Sequence, residues 1–349
     1  MDRGVMRSTA REFRKYYNPE LHGELRLDTN TNVLGPNPAA EEYLSKGKWE
    51  LDQYPNTYSD RLREALGELY DLEADNFIAG NGSDELLDIT FKTFTDWGDG
   101  CVVPVPSYTL YDYFVRLNGG KVICSELTED FQLDTDDIIK QDAKIVIMPS
   151  PNNPTGNCFR TKDIEEVLSG FGGIVVVDEA YAEYGKDPMI GRVEEFDNLV
   201  VLRTFSKAYA MAALRVGYAA ANRELAGMMS CVKIPYSLNM ISEGAAIAAL
   251  KDQDFIRRSI EMVREQRPAL SAGLEKLGFR TFPSDSNFIL AECPVDHKVF
   301  TEKLKAEGIL IRDFGDKPKL KNCVRTTVGT PEQNSLLLEK AEKVIRECR

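Results

Sequence analysis

Histidine is almost missing from this chain. Its 349 residues hold 2, His22 and His297, far apart and without metal-type neighbours. That scarcity argues against a histidine-based triad or a zinc centre, so proton transfer falls to another group. Paired cysteines are also missing. Cys101, Cys124, Cys158, Cys231, Cys293, Cys323 and Cys348 are scattered, with no Cys-x-x-Cys pair. An odd, dispersed set argues against a disulfide framework and fits a reducing cytosol. No apolar run approaches membrane-spanning length, and Met1-Asp-Arg-Gly4 opens no signal region. Positive charge is in deficit, with 43 basic against 56 acidic residues and a formal charge of −13. That sign disfavours nonspecific nucleic acid or anionic membrane as partners. The expectation is a cytoplasmic protein, 43% hydrophobic and long enough for one large and one small domain.

What is present is a series of short apolar runs. Residues 77–79, 101–105, 121–124, 144–148, 174–177, 199–202 and 216–220 read as strands. Helical stretches fall between several of them, such as 83–94 and 161–168. Ser59 is placed to cap a further helix, with Leu62, Ala65, Leu66 and Leu69 as its stripe. This alternation predicts an α/β fold, a mostly parallel sheet with helices on both faces. After about residue 245 the pattern changes. A long helix over 255–277, kinked at Pro268, precedes strands at 287–291, 309–312 and 323–327 and a helix near 299–307. Thr330, Pro331 and Gln333 predict a capping box at the start of a final helix. The chain thus divides into an arm (1–30), a large α/β domain (31–245) and a smaller α+β domain (246–349).

Three of the apolar runs lead into polar groups of different kinds. One runs on to Asn153, one ends at Asp178, and one is followed by Lys207. Taken together they describe one site at the carboxyl edge of a sheet. An activated lysine condenses with an aldehyde to give a Schiff base, the bond used by pyridoxal 5′-phosphate. That cofactor is an electron sink only while its ring nitrogen is protonated, and an adjacent carboxylate such as Asp178 keeps it so. Gly80-Asn-Gly-Ser-Asp84 opens a helix after a strand, a geometry whose free amides suit a phosphate. Ser83, Thr204 and Ser206 offer hydroxyls, and Arg215 offers a bidentate cation. Taken singly, each has a plainer reading: Asp178 or Gly82-Ser-Asp84 as an ordinary helix cap, Lys207 as a solvated amine.

Ser150-Pro-Asn-Asn-Pro-Thr-Gly156, Asp178-Glu-Ala-Tyr181, Thr204-Phe-Ser-Lys-Ala-Tyr209 and Leu214-Arg-Val-Gly-Tyr218 resemble the ordered motifs of the class I/II, fold type I pyridoxal-phosphate aminotransferases. The nearest resemblance is to the histidinol-phosphate branch, over residues 30–329. The resemblance implies a Schiff-base lysine at Lys207 and a ring-nitrogen partner at Asp178. It implies Asn153 and Tyr181 on the ring oxygen and Tyr108 stacked on the ring. Gly82, Ser83, Thr204, Ser206 and Arg215 would hold the phosphate, with Asp84 giving a backbone amide at most. Tyr54 would reach the neighbouring subunit's cofactor, making the site a property of a homodimer. Arg325 and Arg312 would bind the substrate anion, with Asn32 and Tyr54 beside it. A surface ion pair with Asp313 or Asp316 is the alternative for Arg312. The substrates implied are a small amino donor, histidinol phosphate, and a 2-oxo acid, 2-oxoglutarate.

Two stretches depart from the family pattern. Asn30-Thr-Asn-Val33 replaces Asn-Glu-Asn-Pro, and Ala212-Ala213 replaces Ala-Gly. The first changes the charge and stiffness of a loop expected over the substrate. It keeps open an aromatic or other amino-acid aminotransferase and a threonine-phosphate decarboxylase-like enzyme. A non-catalytic, cofactor-binding regulator is disfavoured, because an acidic chain of this length leaves no room for a DNA-binding module.

Overall fold

The computed structural model describes residues 6–11, 13 and 25–348, so His22 and most of the expected arm lie outside it. The strands in chain order are β1 (Leu25–Arg26), β2 (Phe77–Gly80), β3 (Gly100–Val105), β4 (Lys121–Glu126), β5 (Ile145–Pro149), β6 (Ile174–Asp178) and β7 (Leu199–Thr204), followed by β8 (Gly217–Ala221), β9 (Arg280–Thr281), β10 (Phe288–Glu292), β11 (Ile309–Leu310), β12 (Arg312–Asp313) and β13 (Cys323–Thr327). Seven of them form one sheet in the order β2-β8-β7-β6-β5-β3-β4. All its pairings are parallel except the two made by β8.

Strand periodicity explains how this sheet is buried. On one face Val102, Val146, Met148, Val175, Val177 and Val201 join one apolar cluster. Their chain neighbours Cys101, Val103, Ile145, Ile147, Val176 and Val200 join another on the opposite face. Alternate side chains must point to opposite sides, so an unbroken apolar run is required where both sides are covered. Helices such as Ser83–Phe94 and Thr161–Gly170 supply the covers, with Leu86 and Leu87 in one cluster and Ile164 and Val167 in the other.

A second, antiparallel sheet has the order β12-β13-β10-β9, and β1 pairs in parallel with β11. The residues read as a single strand over 309–312 therefore split. Ile309–Leu310 pairs with Leu25–Arg26, whereas Arg312–Asp313 pairs with β13. Leu27 is fully buried beyond β1, which ties the end of the expected arm to the C-terminal part of the chain.

One local expectation changes. Ser59 has a left-handed φ of 57° and makes no cap hydrogen bond. The side chain of Asn56 accepts instead from the amides of Tyr58 and Asp60. An asparagine three residues earlier reaches those donors, whereas the serine turns its hydroxyl inward. The helix Gln253–Lys276 runs on through Pro268 as one element. At the last helix, Thr330 Oγ accepts from the Gln333 amide and the Gln333 side chain accepts from the Thr330 amide, completing the box. Among the described residues no helix is long and apolar enough to cross a membrane.

Beneath the carboxyl edge sits a buried ion triad. Arg203, at the end of β7, donates to Glu179 at 2.8 Å and to Glu183 at 3.0 Å. All three side chains are nearly sealed from solvent. Removing one partner leaves an uncompensated buried charge. Arg203→Met is therefore expected to cost about 3–5 kcal/mol in urea unfolding. Adding Glu179→Gln and Glu183→Gln to it should restore at least half of that loss, because neutral amides need no counter-charge.

Candidate active site

The parallel strands β2, β3, β5, β6 and β7 all end on one edge of the sheet. Because β8 runs the other way, its amino end and the preceding Arg215 arrive at that same edge. A cavity of about 360 Å³ lies there. Ser83, Asp84, Tyr108, Asn153, Asp178, Tyr181, Thr204, Ser206, Lys207, Arg215, Arg312 and Arg325 all line it.

Asp178 is a buried acid in the wall, 6% exposed. Its Oδ2 accepts from the Tyr111 hydroxyl at 2.7 Å and its Oδ1 from the Ala180 amide at 3.1 Å. Burial pushes its carboxyl up to about 6, against the pull of those hydrogen bonds. The Tyr111 hydroxyl is itself pushed up, by burial first and by Asp178 second, so it remains a donor. Lys207 Nζ donates to the Thr29 carbonyl at 2.9 Å and lies 5.5 Å from the centre of the Tyr181 ring. The Tyr181 hydroxyl accepts from the Asn30 amide group at 3.1 Å.

A phosphate-sized cradle closes one end. No side chain caps the helix Ser83–Phe94, whose N-cap is Gly82 at φ 82°. A Cβ on Gly82 would lie 2.6 Å from Arg215 Nη2, and one on Gly217 would lie 2.4 Å from the Ser83 amide nitrogen. Gly82 is required by its left-handed backbone angle and Gly217 by close approach of neighbouring backbone. Arg215 reaches Ser206 Oγ at 3.4 Å and Asp84 Oδ2 at 3.3 Å. Ser206 Oγ in turn accepts from Thr204 Oγ1 at 3.0 Å.

The opposite end is cationic. Arg325, on β13, donates to Asn153 Oδ1 and, at 2.6 Å, to the Asp28 carbonyl. Its buried Nε has no partner among the described residues. Burial pulls its guanidinium down to about 10. Arg312 is its cross-strand neighbour in the register and makes no ion pair among the described residues. The acids expected as alternative partners, Asp313 and Asp316, turn to His297 instead.

Besides Gly82, which caps the helix at the cradle, two expected residues stand apart from the cavity wall. The Asn32 side chain donates to the Ala208 carbonyl and to Ser259, while Asp28, Thr29 and Thr31 do the lining. Two residues away, Asn30 reaches Tyr181, so the loop is reached by a different asparagine from the one expected. Tyr54 is 82% exposed and stacks on Tyr236 at 5.0 Å, away from the cavity of its own chain. Sequence reasoning missed Tyr111, Phe314 and Lys317, which also line the cavity. For Tyr111 a signal existed: it lies three residues beyond Tyr108, in a helix that follows a buried strand.

A buried carboxyl with a raised pKa binds its proton more tightly in the folded than in the unfolded chain. Its contribution to stability is complete below the unfolded value near 4 and is lost as pH rises through about 6. In cofactor-free protein, wild type should lose about 3 kcal/mol relative to Asp178→Asn between pH 4 and 7. Urea titrations of both proteins across that range check this.

Comparison with known proteins gives a consistent result. The profile of the family described as Aminotransferase class I and II matches residues 23–340. The histidinol-phosphate aminotransferase of Ruminiclostridium cellulolyticum is 33% identical over 347 residues, covering 96% of this chain and 97% of the relative. That of Methanocaldococcus jannaschii is 32% identical, covering 96% and 92%. The crystal structure of histidinol-phosphate aminotransferase from Sinorhizobium meliloti in complex with pyridoxal 5′-phosphate superposes with a TM-score of 0.87 at 25% identity, over 93% of this chain and 92% of that one. The Clostridium acetobutylicum enzyme superposes with a TM-score of 0.85 at 27% identity, over 93% and 99%.

Proposed function

The chain belongs to the class I and II aminotransferases, and from that membership we propose that it transfers an amino group from histidinol phosphate to 2-oxoglutarate, with pyridoxal 5′-phosphate as cofactor. The observation that carries this reading is the joining of a buried acid, an amine and a partly unpaired arginine in one cavity, Asp178, Lys207 and Arg325. The near full-length relatives carrying the histidinol-phosphate name support the choice of substrate.

The cavity fits that cofactor at both ends of its ring. The uncapped helix, the two obligatory glycines and Arg215 suit a phosphate group, with Ser83, Thr204 and Ser206 adding hydroxyls. The carboxylate of Asp178 suits a protonated ring nitrogen. Asp84 points its carboxylate at Arg215, so only its backbone amide serves the phosphate. Bound there, pyridoxal phosphate supplies an electrophilic carbon and a ring that accepts the electrons released at the substrate α-carbon.

The remaining work belongs to the chain. Asp178 holds a proton on the ring nitrogen, and Tyr111 and the Ala180 amide keep its carboxylate oriented. Lys207 Nζ takes the proton from the α-carbon and returns it one position away. Asn153 and Tyr181 would offer donors to the ring oxygen, and Tyr108 would cover the ring face. Arg325, seconded by Arg312, holds the substrate anion so that the bond to hydrogen is the one presented for cleavage. Tyr54, exposed beside Tyr58, Ile234 and Tyr236, belongs to the contact face of a homodimer and serves the partner's site. The arm (1–30), large domain (31–245) and small domain (246–349) are the division we infer, and a cytoplasmic location accords with the unpaired cysteines.

Loaded with cofactor and reduced with borohydride, the protein should carry the pyridoxyl mass on Lys207 in a peptide map. Histidinol phosphate should then convert the aldehyde form to the amine form. Mass on another lysine rejects the assignment of Lys207, and failure of histidinol phosphate to give the amine form, or carbon dioxide released from threonine phosphate in its place, rejects this transamination. Arg325→Gln should weaken the half-reaction by about 30-fold or more, the cost of a lost charge-assisted pair.

A further inference from the structure

Three cationic residues line one end of the cavity, two of them beside a single aromatic ring. The guanidinium carbon of Arg325 lies 5.7 Å from the centre of Phe314, and the ammonium of Lys317 lies 5.9 Å from it. Arg312 stands across the strand pair from Arg325. All four residues line the same cavity.

The acids nearby are committed elsewhere. Asp313 accepts from the Gly315 amide at 2.8 Å and sits 2.7 Å from His297 Nδ1. Asp316 lies 3.7 Å from the other ring nitrogen of His297. Asp28 is paired with Arg26 at 2.8 Å. Arg312 and Lys317 have no ion pair among the described residues, and Arg325 keeps an unpartnered buried Nε. Burial, then Arg312, draws the Lys317 ammonium below its ordinary value. Like charges held this close disfavour one another until an anion arrives.

One carboxylate carries one charge and cannot satisfy this set. A phosphate monoester carries up to two charges on three acceptor oxygens. We propose that Lys317 is a specificity-determining residue that reads the second charge of a phosphate monoester substrate, beyond what Arg325 and Arg312 do for any anionic substrate. The inference rests on the substrate reading above. It makes Lys317, a residue with no counterpart among the motif positions, the one that separates a phosphorylated amino donor from the carboxylate amino acid of the same side chain.

The test is competition binding on the cofactor-loaded enzyme. Histidinol phosphate and L-histidine share an imidazole and differ in carrying a phosphate ester or a carboxylate. Lys317→Met is expected to weaken histidinol phosphate about tenfold, the loss of one charge-assisted contact, and to change L-histidine less than about twofold. Lys317→Arg should restore most of the difference. Lys319→Met, which alters a neighbouring lysine paired with Glu126, should change neither constant. Equal weakening of both ligands, or no weakening of either, overturns the proposal. Wild type that fails to bind histidinol phosphate rejects the substrate reading instead. Inorganic phosphate as competitor against L-histidine then decides the role of Lys317: competition lost in Lys317→Met supports it, and competition retained overturns it.

Discussion

A carboxylate sealed beneath a cavity is the constraint around which this molecule is organised. Asp178 has two hydrogen-bond donors and, among the described residues, no ion pair to match its charge. An ionised carboxyl in such surroundings is unfavourable unless something positive meets it, and burial raises its pKa accordingly. The chain alone meets that demand poorly. A ligand presenting a protonated ring nitrogen meets it well, so the same burial that costs the unliganded protein stability favours the charged form of the ligand. Stability given up locally in this way is a familiar trade at working sites.

The sheet makes the arrangement reproducible. Buried parallel strands allow little freedom of register, since a slip of one residue would turn every apolar side chain to the wrong face. Pro149 faces Asp178 and Asp178 faces Leu202 across three neighbouring strands. The polar residues that follow each strand are thereby delivered to one edge within a few ångströms of fixed positions. The Arg203–Glu179–Glu183 triad reinforces this from below. Glu179 directly follows Asp178, and Arg203 directly precedes Thr204, so one ion cluster locks the two strand ends that carry the acid and the lysine. Such a cluster adds little net stability compared with apolar packing, and its value lies in allowing one arrangement.

How far the sequence could be read follows from the same physics. Apolar runs marked all seven large-sheet strands within two residues, and in the central ones double-sided burial leaves no room for polar alternation. Asp178 was legible because it ends such a run with a charge, and Lys207 because it follows one within a few residues. Direction was not legible: nothing in Gly217–Ala221 announces that β8 runs antiparallel, yet that reversal is what brings Arg215 to the phosphate cradle. Nor could composition show that Ile311 would divide two strands that belong to different sheets. The choice between Asn30 and Asn32 depended on which amide the loop turns inward, and Asn30 takes a left-handed φ of 54° to do so. Lys317 gave no signal at all, because a lysine in a loop containing Gly315 and Pro318 reads as a solvated turn.

That last case shows where specificity resides in a scaffold of this kind. The groups that serve the chemistry sit at strand ends and are held by the large sheet. The groups that would sort substrates sit on β12, β13 and the loop between them, in the small antiparallel sheet. Cationic side chains crowd there, while the nearby acids Asp313, at 2.7 Å, and Asp316, at 3.7 Å, face the buried His297 ring. Moving one acid from His297 to Arg312 or Lys317 would neutralise the anion site without touching Lys207 or Asp178. Charge at this end is therefore free to vary while the reaction is kept, and substrate preference can change by altering which acids are occupied as readily as by altering which cations are present.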